Sequence, residues 1–169
     1  MPSSFPRAVL ATVLLAAFSA VNLQAQTAPP ASHDFDFWLG EWNVTTPDGK
    51  AAGTSRIESI ANGHGLLENW TGDPASGGGN GKSLNCYNAA KQQWQQFWVG
   101  SGGGVLELAG GLSDGKMVLS GSHVVRGANL VERITWTPNA DGAVRQFWEQ
   151  SKDDGKTWTA VFDGLYRKK

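Results

Sequence analysis

Two copies of one tripeptide bring the same polar and aromatic side chains together in two parts of the chain. Gln96-Phe97-Trp98 and Gln146-Phe147-Trp148 each lie in a run of alternating residue types. Because alternate residues of a β-strand point to the same face, each copy would present one amide and one indole together. If both strands turn these groups inward, they would suit a flat or aromatic molecule with one or two polar groups.

Further side chains of suitable type complete the predicted site. Buried amides need hydrogen-bonding partners, and other runs of the sequence supply carboxylate, amide, phenol and guanidinium groups. The predicted walls are Trp70, Trp98 and Trp148, and the predicted polar contacts are Glu68, Asn85, Tyr87, Gln96, Arg133 and Gln146. This set predicts a site for a small hydrophobic or aromatic ligand. The alternative is that the polar groups satisfy one another around ordered water.

Two other functions fit the same sequence. A cofactor-independent enzyme would use Glu68 or Glu149 as acid or base, with Arg133 or Arg145 stabilising developing negative charge. A carboxyl group in a mostly apolar barrel has a raised pKa, which suits such chemistry near neutral pH. An envelope-associated interaction module would instead present an exposed Trp face to its partner and would have a filled interior.

Metal, nucleotide and thiol chemistry are not indicated. His33, His64 and His123 are far apart and lack metal-ligand spacing, so no metal site is predicted. Either of the last two could be the axial ligand of a haem-binding barrel, but we predict no cofactor. The glycine-rich segment 77–83 precedes a strand-like run, whereas a phosphate-binding loop needs a helix there. Cys86 is interpreted as a small buried hydrophobic residue.

Length and composition limit the class of protein. The chain has 169 residues, including one Cys, 22 Gly and 8 Trp, with 14 basic and 15 acidic residues and a net charge of −1. This length predicts one domain. The near-neutral charge provides no basic face for nucleic acid, and a single Cys excludes an intrachain disulfide. Abundant Gly and Trp favour a turn-rich β protein.

The N-terminal residues have the layout of a secretory signal peptide. Arg7 precedes an uncharged apolar run over 8–21, and small residues follow. This run is shorter than the roughly 20 residues that span a membrane. We expect a signal peptide over 1–25, a flexible leader over 26–32 and one domain over 33–169. The expected location is secreted or periplasmic, with no transmembrane segment after cleavage, and a membrane-anchoring helix is the alternative.

Turn residues recur along the rest of the chain and separate short runs rich in Val, Ile, Thr, Trp and Phe. This spacing predicts an all-β protein, an antiparallel up-and-down barrel whose closure removes the edge strands. Segment 34–39 is the one helical candidate. Because neither face of several runs is purely apolar, a partly polar cavity is favoured over a solid barrel. The ten predicted strands cover 41–46, 52–61, 65–71, 82–88, 92–99, 104–109, 116–124, 129–137, 143–151 and 157–167.

The segment Gly40-Glu41-Trp42 resembles the Gly-x-Trp that begins the first strand of lipocalins and other calycins. The resemblance implies a calycin-type barrel with Trp42 at its closed end and a basic side chain from the last strand, Arg167, across the ring. Five stretches resemble a family of small exported lipocalin-like bacterial proteins, which is largely without assigned function. They are 67–72, 81–87, 133–138, 144–149 and 162–167. That family often has Asp at the position where this chain has Gly100.

Residues 151–158 match the Asp-box pattern Ser-x-Asp-x-Gly-x-Thr-Trp, which also occurs in sialidase propellers and other β proteins. In such a hairpin the Asp accepts hydrogen bonds from turn N–H groups, the Gly adopts a positive φ, and the Trp packs over the strands. We predict a structural hairpin here, without a catalytic role.

Overall fold

A computed structural model of the protein describes residues 30–169. Within this range ten antiparallel strands form one closed barrel. The all-β, up-and-down architecture agrees with the prediction from the sequence, and so does the short helical turn near the N-terminus, Asp36–Trp38. The predicted signal peptide (1–25) and residues 26–29 of the predicted leader lie outside the described residues.

Each predicted strand has an observed counterpart whose ends differ by a few residues. The agreement has a simple cause, because one face of most strands packs inward while the other meets solvent. The strands are joined by short turns and by 3₁₀ helices at Ala61–Gly63 and Pro74–Ser76. In chain order the strands β1 to β10 are Gly40–Thr45, Ala51–Ile60, Gly65–Gly72, Asn80–Asn88, Gln93–Gly100, Val105–Ser113, Lys116–Val125, Ala128–Pro138, Val144–Ser151 and Thr159–Lys168.

Two tight hairpins illustrate how the sequence sets the strand connections. Asp114-Gly115 joins β6 to β7, with φ values of 49° and 74°, and Arg126-Gly127 joins β7 to β8, with 51° and 83°. Positive φ at both central residues is the type I′ geometry, which follows the twist of two paired strands. Gly at the second position adopts it without a Cβ clash.

The barrel closes where β1 pairs with β10. Four residue pairs make this seam, from Trp42 opposite Lys168 to Thr45 opposite Leu165. All other strands pair with their sequence neighbours, which gives the order β1-β10-β9-β8-β7-β6-β5-β4-β3-β2. Closure pairs the backbone groups that edge strands would leave open. The predicted adjacency of the first and last strands is therefore confirmed.

Aromatic side chains fill one end of the barrel, which we call the closed end. Phe35 stacks on Trp38 with their ring centroids 5.0 Å apart, and Trp42 Nε1 donates to the carbonyl oxygen of Trp38 over 2.9 Å. Burying such large rings makes this end the main hydrophobic core. The fully buried aromatic residues are Phe35, Trp38, Trp42, Trp94, Trp136 and Tyr166.

Lys168 is the basic residue that lies against Trp42, and the assignment of Arg167 to this role was wrong. The Nζ of Lys168 is 5.3 Å from the centroid of the Trp42 ring. Arg167 is opposite Asn43 in the strand register and donates to Asp141 over 3.0 Å. Successive residues of a strand face opposite sides of the sheet. An error of one position in the strand register therefore assigns Arg167 instead of Lys168 to the side of Trp42.

The folded domain includes the last residues of the predicted leader. Pro30–His33 forms a 3₁₀ helix, Ser32 is buried, and the carbonyl oxygen of Ala31 accepts a hydrogen bond of 3.1 Å from Trp94 Nε1. Short uncharged residues beside Pro carry no periodic signal of packing, and the partner Trp94 is distant in the sequence. The leader predicted from composition therefore ended too late, because residues 30–32 already belong to the folded domain.

The segment 151–158 connects β9 to β10 through a turn with several internal hydrogen bonds. The two carboxylate oxygens of Asp153 accept hydrogen bonds from the Thr157 amide and hydroxyl groups at 2.8 and 2.7 Å. These bonds lower the pKa of Asp153 to about 2. Gly155 has a φ of +86°, and Trp158 Nε1 donates to its carbonyl oxygen over 3.0 Å. These bonds within the segment shape the connection between β9 and β10.

Candidate functional site

A cavity of about 480 Å³ lies inside the barrel, beyond the aromatic closed end. Its volume falls in the range of roughly 300–1,000 Å³ that small-molecule sites occupy. The β3–β4 loop and the first residues of β10 form its outer part, so it lies toward the open end of the barrel. The lining residues are Glu68, Trp70, Gly77, Gly78, Gln96, Trp98, Leu106, Ile134, Gln146, Trp148, Val161, Phe162 and Tyr166.

Indole and phenyl rings make up much of the cavity wall. Trp70 and Phe162 meet edge to face with their centroids 5.9 Å apart. Two glycines make room for the indoles, because a Cβ at Gly53 would lie 2.9 Å from the ring of Trp70, and one at Gly81 would overlap the ring of Trp98. Gly is therefore required at these positions for the indoles to lie against the strands.

Glu68 is the carboxyl group of the cavity wall. It lies on the inner face of β3, directly opposite Ser83 of β4. The Ser83 hydroxyl donates to Glu68 Oε2 over 2.8 Å, and the Ser55 hydroxyl of β2 donates to Oε1 over 3.1 Å. Burial raises the pKa of Glu68 to about 7, although the two serine hydrogen bonds oppose this shift. The group therefore titrates near neutral pH.

A line of hydrogen bonds connects Glu68 to the neighbouring strands. Gln96 Nε2 of β5 donates to Asn85 Oδ1 over 2.8 Å, and Asn85 Nδ2 donates to the Ser83 hydroxyl over 2.9 Å. The Ser83 hydroxyl in turn donates to Glu68 Oε2. Because each member is fixed by the next, the network holds the carboxyl group and the Gln96 amide in a defined arrangement.

Gln146 and Tyr166 form a second polar contact in the cavity. The Tyr166 hydroxyl donates to Gln146 Oε1 over 2.5 Å. Burial, with the nearby charge of Glu68, raises the pKa of the Tyr166 phenol well above its usual value. The hydroxyl thus remains a hydrogen-bond donor across the physiological pH range.

Glu132 is a second buried carboxyl group on the inner face, and it was not among the predicted site residues. It accepts hydrogen bonds from Trp148 Nε1 over 2.5 Å and from Gln150 Nε2 over 2.9 Å. His123 Nε2 lies 3.9 Å from Glu132 Oε1. Alternation along β8 places Glu132 on the same face as Ile134, and this pattern was the signal that could have identified it.

Six of the nine predicted site residues line the cavity. They are Glu68, Trp70, Gln96, Trp98, Gln146 and Trp148. Asn85 is fully buried behind the wall and holds Gln96. Tyr87 lies nearer the closed end, where its ring meets that of Trp94 edge to face at 6.2 Å.

Arg133 does not belong to the interior, and its predicted place in the site was wrong. Its guanidinium pairs with Glu149 on the outer face, with a distance of 3.0 Å from Nη2 to Oε2. It also lies over the ring of Trp158, 3.8 Å from the centroid. The cause is the strand period, since the inner face of β8 carries Glu132 and Ile134, which alternate with Arg133.

The alternative functions are affected by the same geometry. Glu149 and Arg145 also lie on the outer face, where Arg145 pairs with Asp163 over 2.7 Å, so neither could act inside the barrel as the enzyme hypothesis required.

The interaction-module hypothesis required an exposed Trp face and a filled interior. All eight Trp residues lie within the described range, and none is exposed.

Three further observations concern metal ligands, membrane-spanning helices and Cys86. Within residues 30–169, no cluster of three or more His, Cys, Asp or Glu side chains has the arrangement of a metal site. No helix in this described part of the chain is both long and apolar enough to cross a membrane. Cys86 lies on the outward-facing side of β4 and is half-buried, rather than buried as predicted.

No protein-family model matches the sequence, and no curated protein is significantly similar to it.

Proposed function

We propose that this protein binds a small, partly aromatic molecule inside its barrel. The observation that carries the proposal is the cavity of about 480 Å³ with Trp70, Trp98, Trp148 and Phe162 in its wall. Large rings contribute apolar contact area at low entropic cost, while a few fixed polar groups orient the ligand. Glu68, Gln96 and Gln146 are those polar groups.

The polar network supports binding because it is largely fixed before any ligand arrives. Asn85 and Ser83 hold Gln96 and Glu68, and Tyr166 holds Gln146. A site whose side chains are already in place loses less conformational entropy when it binds. The ligand-facing part of the barrel is thus suited to recognition without rearrangement of its strands.

Naphthalenemethanol, a neutral probe with a fused ring and one hydroxyl group, tests the proposal. We expect saturable binding in calorimetry and a change in Trp fluorescence, since indoles line the site. A Leu106→Trp variant should reduce binding, because the added ring would occupy the cavity, whereas Leu112→Trp adds the same ring at an exposed position. Lack of binding by the wild-type protein, or equal binding by both variants, would contradict the proposal.

We further propose that the protein is exported and acts outside the cytoplasm as a lipocalin-like binding protein. The support is the basic residue and apolar run at 7–21 and the Gly-x-Trp at the start of β1. N-terminal sequencing of the exported protein should begin near Gln26. An intact Met1 terminus in the membrane fraction would contradict signal cleavage. Native mass spectrometry of protein from the organism that makes it would show any ligand carried along.

Acid–base catalysis by Glu68 is a second candidate function. It is favoured by one observation, a cavity-lining carboxyl group whose pKa is raised to about 7, because a general acid or base works best when its pKa is close to the ambient pH. Glu68→Gln preserves shape and removes the titrating group. Loss of a detected turnover with binding retained would support catalysis, and turnover unchanged in this variant would exclude it.

A further inference from the structure

The charged side chain of the described cavity wall is acidic. Glu68 lines the cavity, and Glu132 lies on the same inner face of β8 as Ile134, which also lines it. Among the described residues of the cavity wall there is no Lys, Arg or His. We infer that the ligand carries a cationic nitrogen on an apolar body. The inference rests on the proposed function and specifies the chemical class of its ligand.

Glu68 has hydrogen-bond partners but no partner of opposite charge. Its carboxyl oxygens accept only from the hydroxyls of Ser55 and Ser83, and no ion pair within residues 30–169 includes it. The residue is 4% exposed. An ionised carboxylate held away from water is unfavourable unless an opposite charge compensates it. A cationic ligand in the cavity would supply that charge.

The basic side chains of β8 and β9 form ion pairs on the outer face of the barrel. Arg133 and Arg145 pair with Glu149 and Asp163 on the outer face. The strand period prevents them from turning inward without moving the whole register. An anionic ligand would therefore meet Glu68 with no compensating cation, which would make its binding unfavourable.

Glu132 is a second acidic side chain in the interior. Trp148 and Gln150 use its two oxygens as acceptors, and both donors are uncharged. His123 is the nearest basic group, at 3.9 Å, and its side chain is 40% exposed. Glu132 thus orients the Trp148 ring and places a second acidic side chain on the inner face of the barrel.

The aromatic wall is also suited to a cation. The face of an indole attracts an ammonium or guanidinium group through the ring quadrupole, and Trp is the strongest of the aromatic residues in this respect. Trp70, Trp98 and Trp148 all line the cavity. Leu106 and Val161 complete the wall with aliphatic surface, so an apolar body attached to the cationic nitrogen would also be accommodated.

Three probes that share one ring system test the charge preference. Naphthylmethylamine is cationic, naphthalenemethanol is neutral and naphthoate is anionic. Binding is measured by calorimetry at about pH 8, above the pKa of about 7 of Glu68. We expect the amine to bind about tenfold or more tightly than the alcohol, and naphthoate to bind most weakly.

The Glu68→Gln variant identifies the group responsible. It should remove the preference for the amine, so that the ratio of the two affinities, amine to alcohol, falls from about tenfold or more toward one. Glu107→Gln is the matched control, because it makes the same substitution on the exposed face of β6. Should Glu68→Gln fail to fold, the three-probe comparison on the wild-type protein decides the question alone.

The outcomes separate the inference from the proposed function. If the alcohol or naphthoate binds as tightly as the amine, the cation preference is wrong and small-molecule binding stands. If the amine is preferred but Glu68→Gln retains the preference, Glu68 is not its source and the inference is overturned in this form. If none of the probes binds, both the inference and the proposed function are contradicted.

Discussion

Lys168 and Trp42 face each other across the seam that closes the barrel. They are direct partners in the β1–β10 register, and the Lys168 Nζ lies 5.3 Å from the centroid of the Trp42 ring. The same indole donates to the carbonyl oxygen of Trp38. One side chain therefore links the first strand, the last strand and the N-terminal segment that covers the closed end.

Loss of the Trp42 ring should cost more stability than loss of the cation above it. Trp42→Ala opens a cavity in the core and should reduce the free energy of unfolding by about 3–5 kcal/mol. Lys168→Met keeps the aliphatic chain and removes an exposed cation–π contact, for which we expect about 0.5–1 kcal/mol. Urea denaturation measures both, with Arg167→Met as the control.

A double-mutant cycle distinguishes direct contact from independent effects. Residues in contact show a coupling energy, whereas distant ones are additive. We expect coupling of Trp42→Ala with Lys168→Met and none with Arg167→Met. The reverse pattern would restore Arg167 to the role that the sequence resemblance implied.

Glu68 should make the protein less stable as the pH rises toward neutrality. Its pKa is about 7 in the folded protein against 4.5 for the free group. Between these values the folded state holds a proton that the unfolded state has released, so the contribution of Glu68 is complete below about pH 4.5 and is lost by about pH 7. The shift corresponds to roughly 3 kcal/mol.

Glu68→Gln tests this effect because the amide does not titrate. The difference in unfolding free energy between the wild-type protein and the variant should change by roughly 3 kcal/mol from acidic to neutral pH, in favour of the variant at the higher pH. Glu107→Gln on the outer face serves as the control. A pH-independent difference for Glu68→Gln would show that this carboxyl group has an ordinary pKa.

Trp148 should contribute directly to ligand affinity. Removing a well-packed aromatic wall costs about 1–3 kcal/mol, so Trp148→Ala should weaken binding of the naphthalene probes by about tenfold or more. Trp148→Phe keeps a ring but removes the hydrogen bond to Glu132, and we expect an intermediate loss.

The matched control for Trp148 is Trp158→Ala. Trp158 lies outside the cavity, against Arg133, so its loss should leave affinity unchanged even where it lowers stability. Calorimetry gives the affinity and thermal unfolding gives the stability of each variant. A Trp148→Ala protein that is destabilised but binds normally would make Trp148 part of the core and not of the site.

Gly81 should be needed for the position of the Trp98 ring. A Cβ at Gly81 would overlap this indole, whereas a Cβ at Gly104 would meet no atom within 4 Å. Gly81→Ala must therefore displace Trp98 or bend β4, and we expect binding of the naphthalene probes to weaken by about tenfold. Gly104→Ala should bind as the wild type does. Equal affinity in both variants would show that the Trp98 ring has no part in the site.

The fold could be predicted because its signals are local. Turn residues such as Asp114-Gly115 mark the strand ends, and the alternation of Trp94, Gln96 and Trp98 indicates an extended run with two different faces. Closure followed from the number of strands and their sequential pairing, since an open meander would leave two long edges.

The site could be predicted only where strand alternation defines one face. It paired Gln146 with Trp148 correctly, but Arg133 was assigned from its residue type, although β8 turns it outward beside Glu149. Which face of a strand points inward depends on the register across all ten strands. A shift of one residue in the register reverses the assignment, as it did for Arg167 and Lys168. Glu132 was missed although it alternates onto the same face of β8 as Ile134, because the prediction chose the polar contacts by residue type.

Tyr166 belongs both to the closed end and to the cavity. Its ring meets those of Trp38 and Trp42 at 6.1 and 6.2 Å, while its hydroxyl donates to Gln146 in the cavity wall. Leu106 and Ile134 also belong to both the cavity wall and the hydrophobic core, and Tyr166 adds a polar group to this shared region. A substitution of Tyr166 would therefore change the cavity and remove a ring from the core at once, so ligand recognition and folding are coupled at this position.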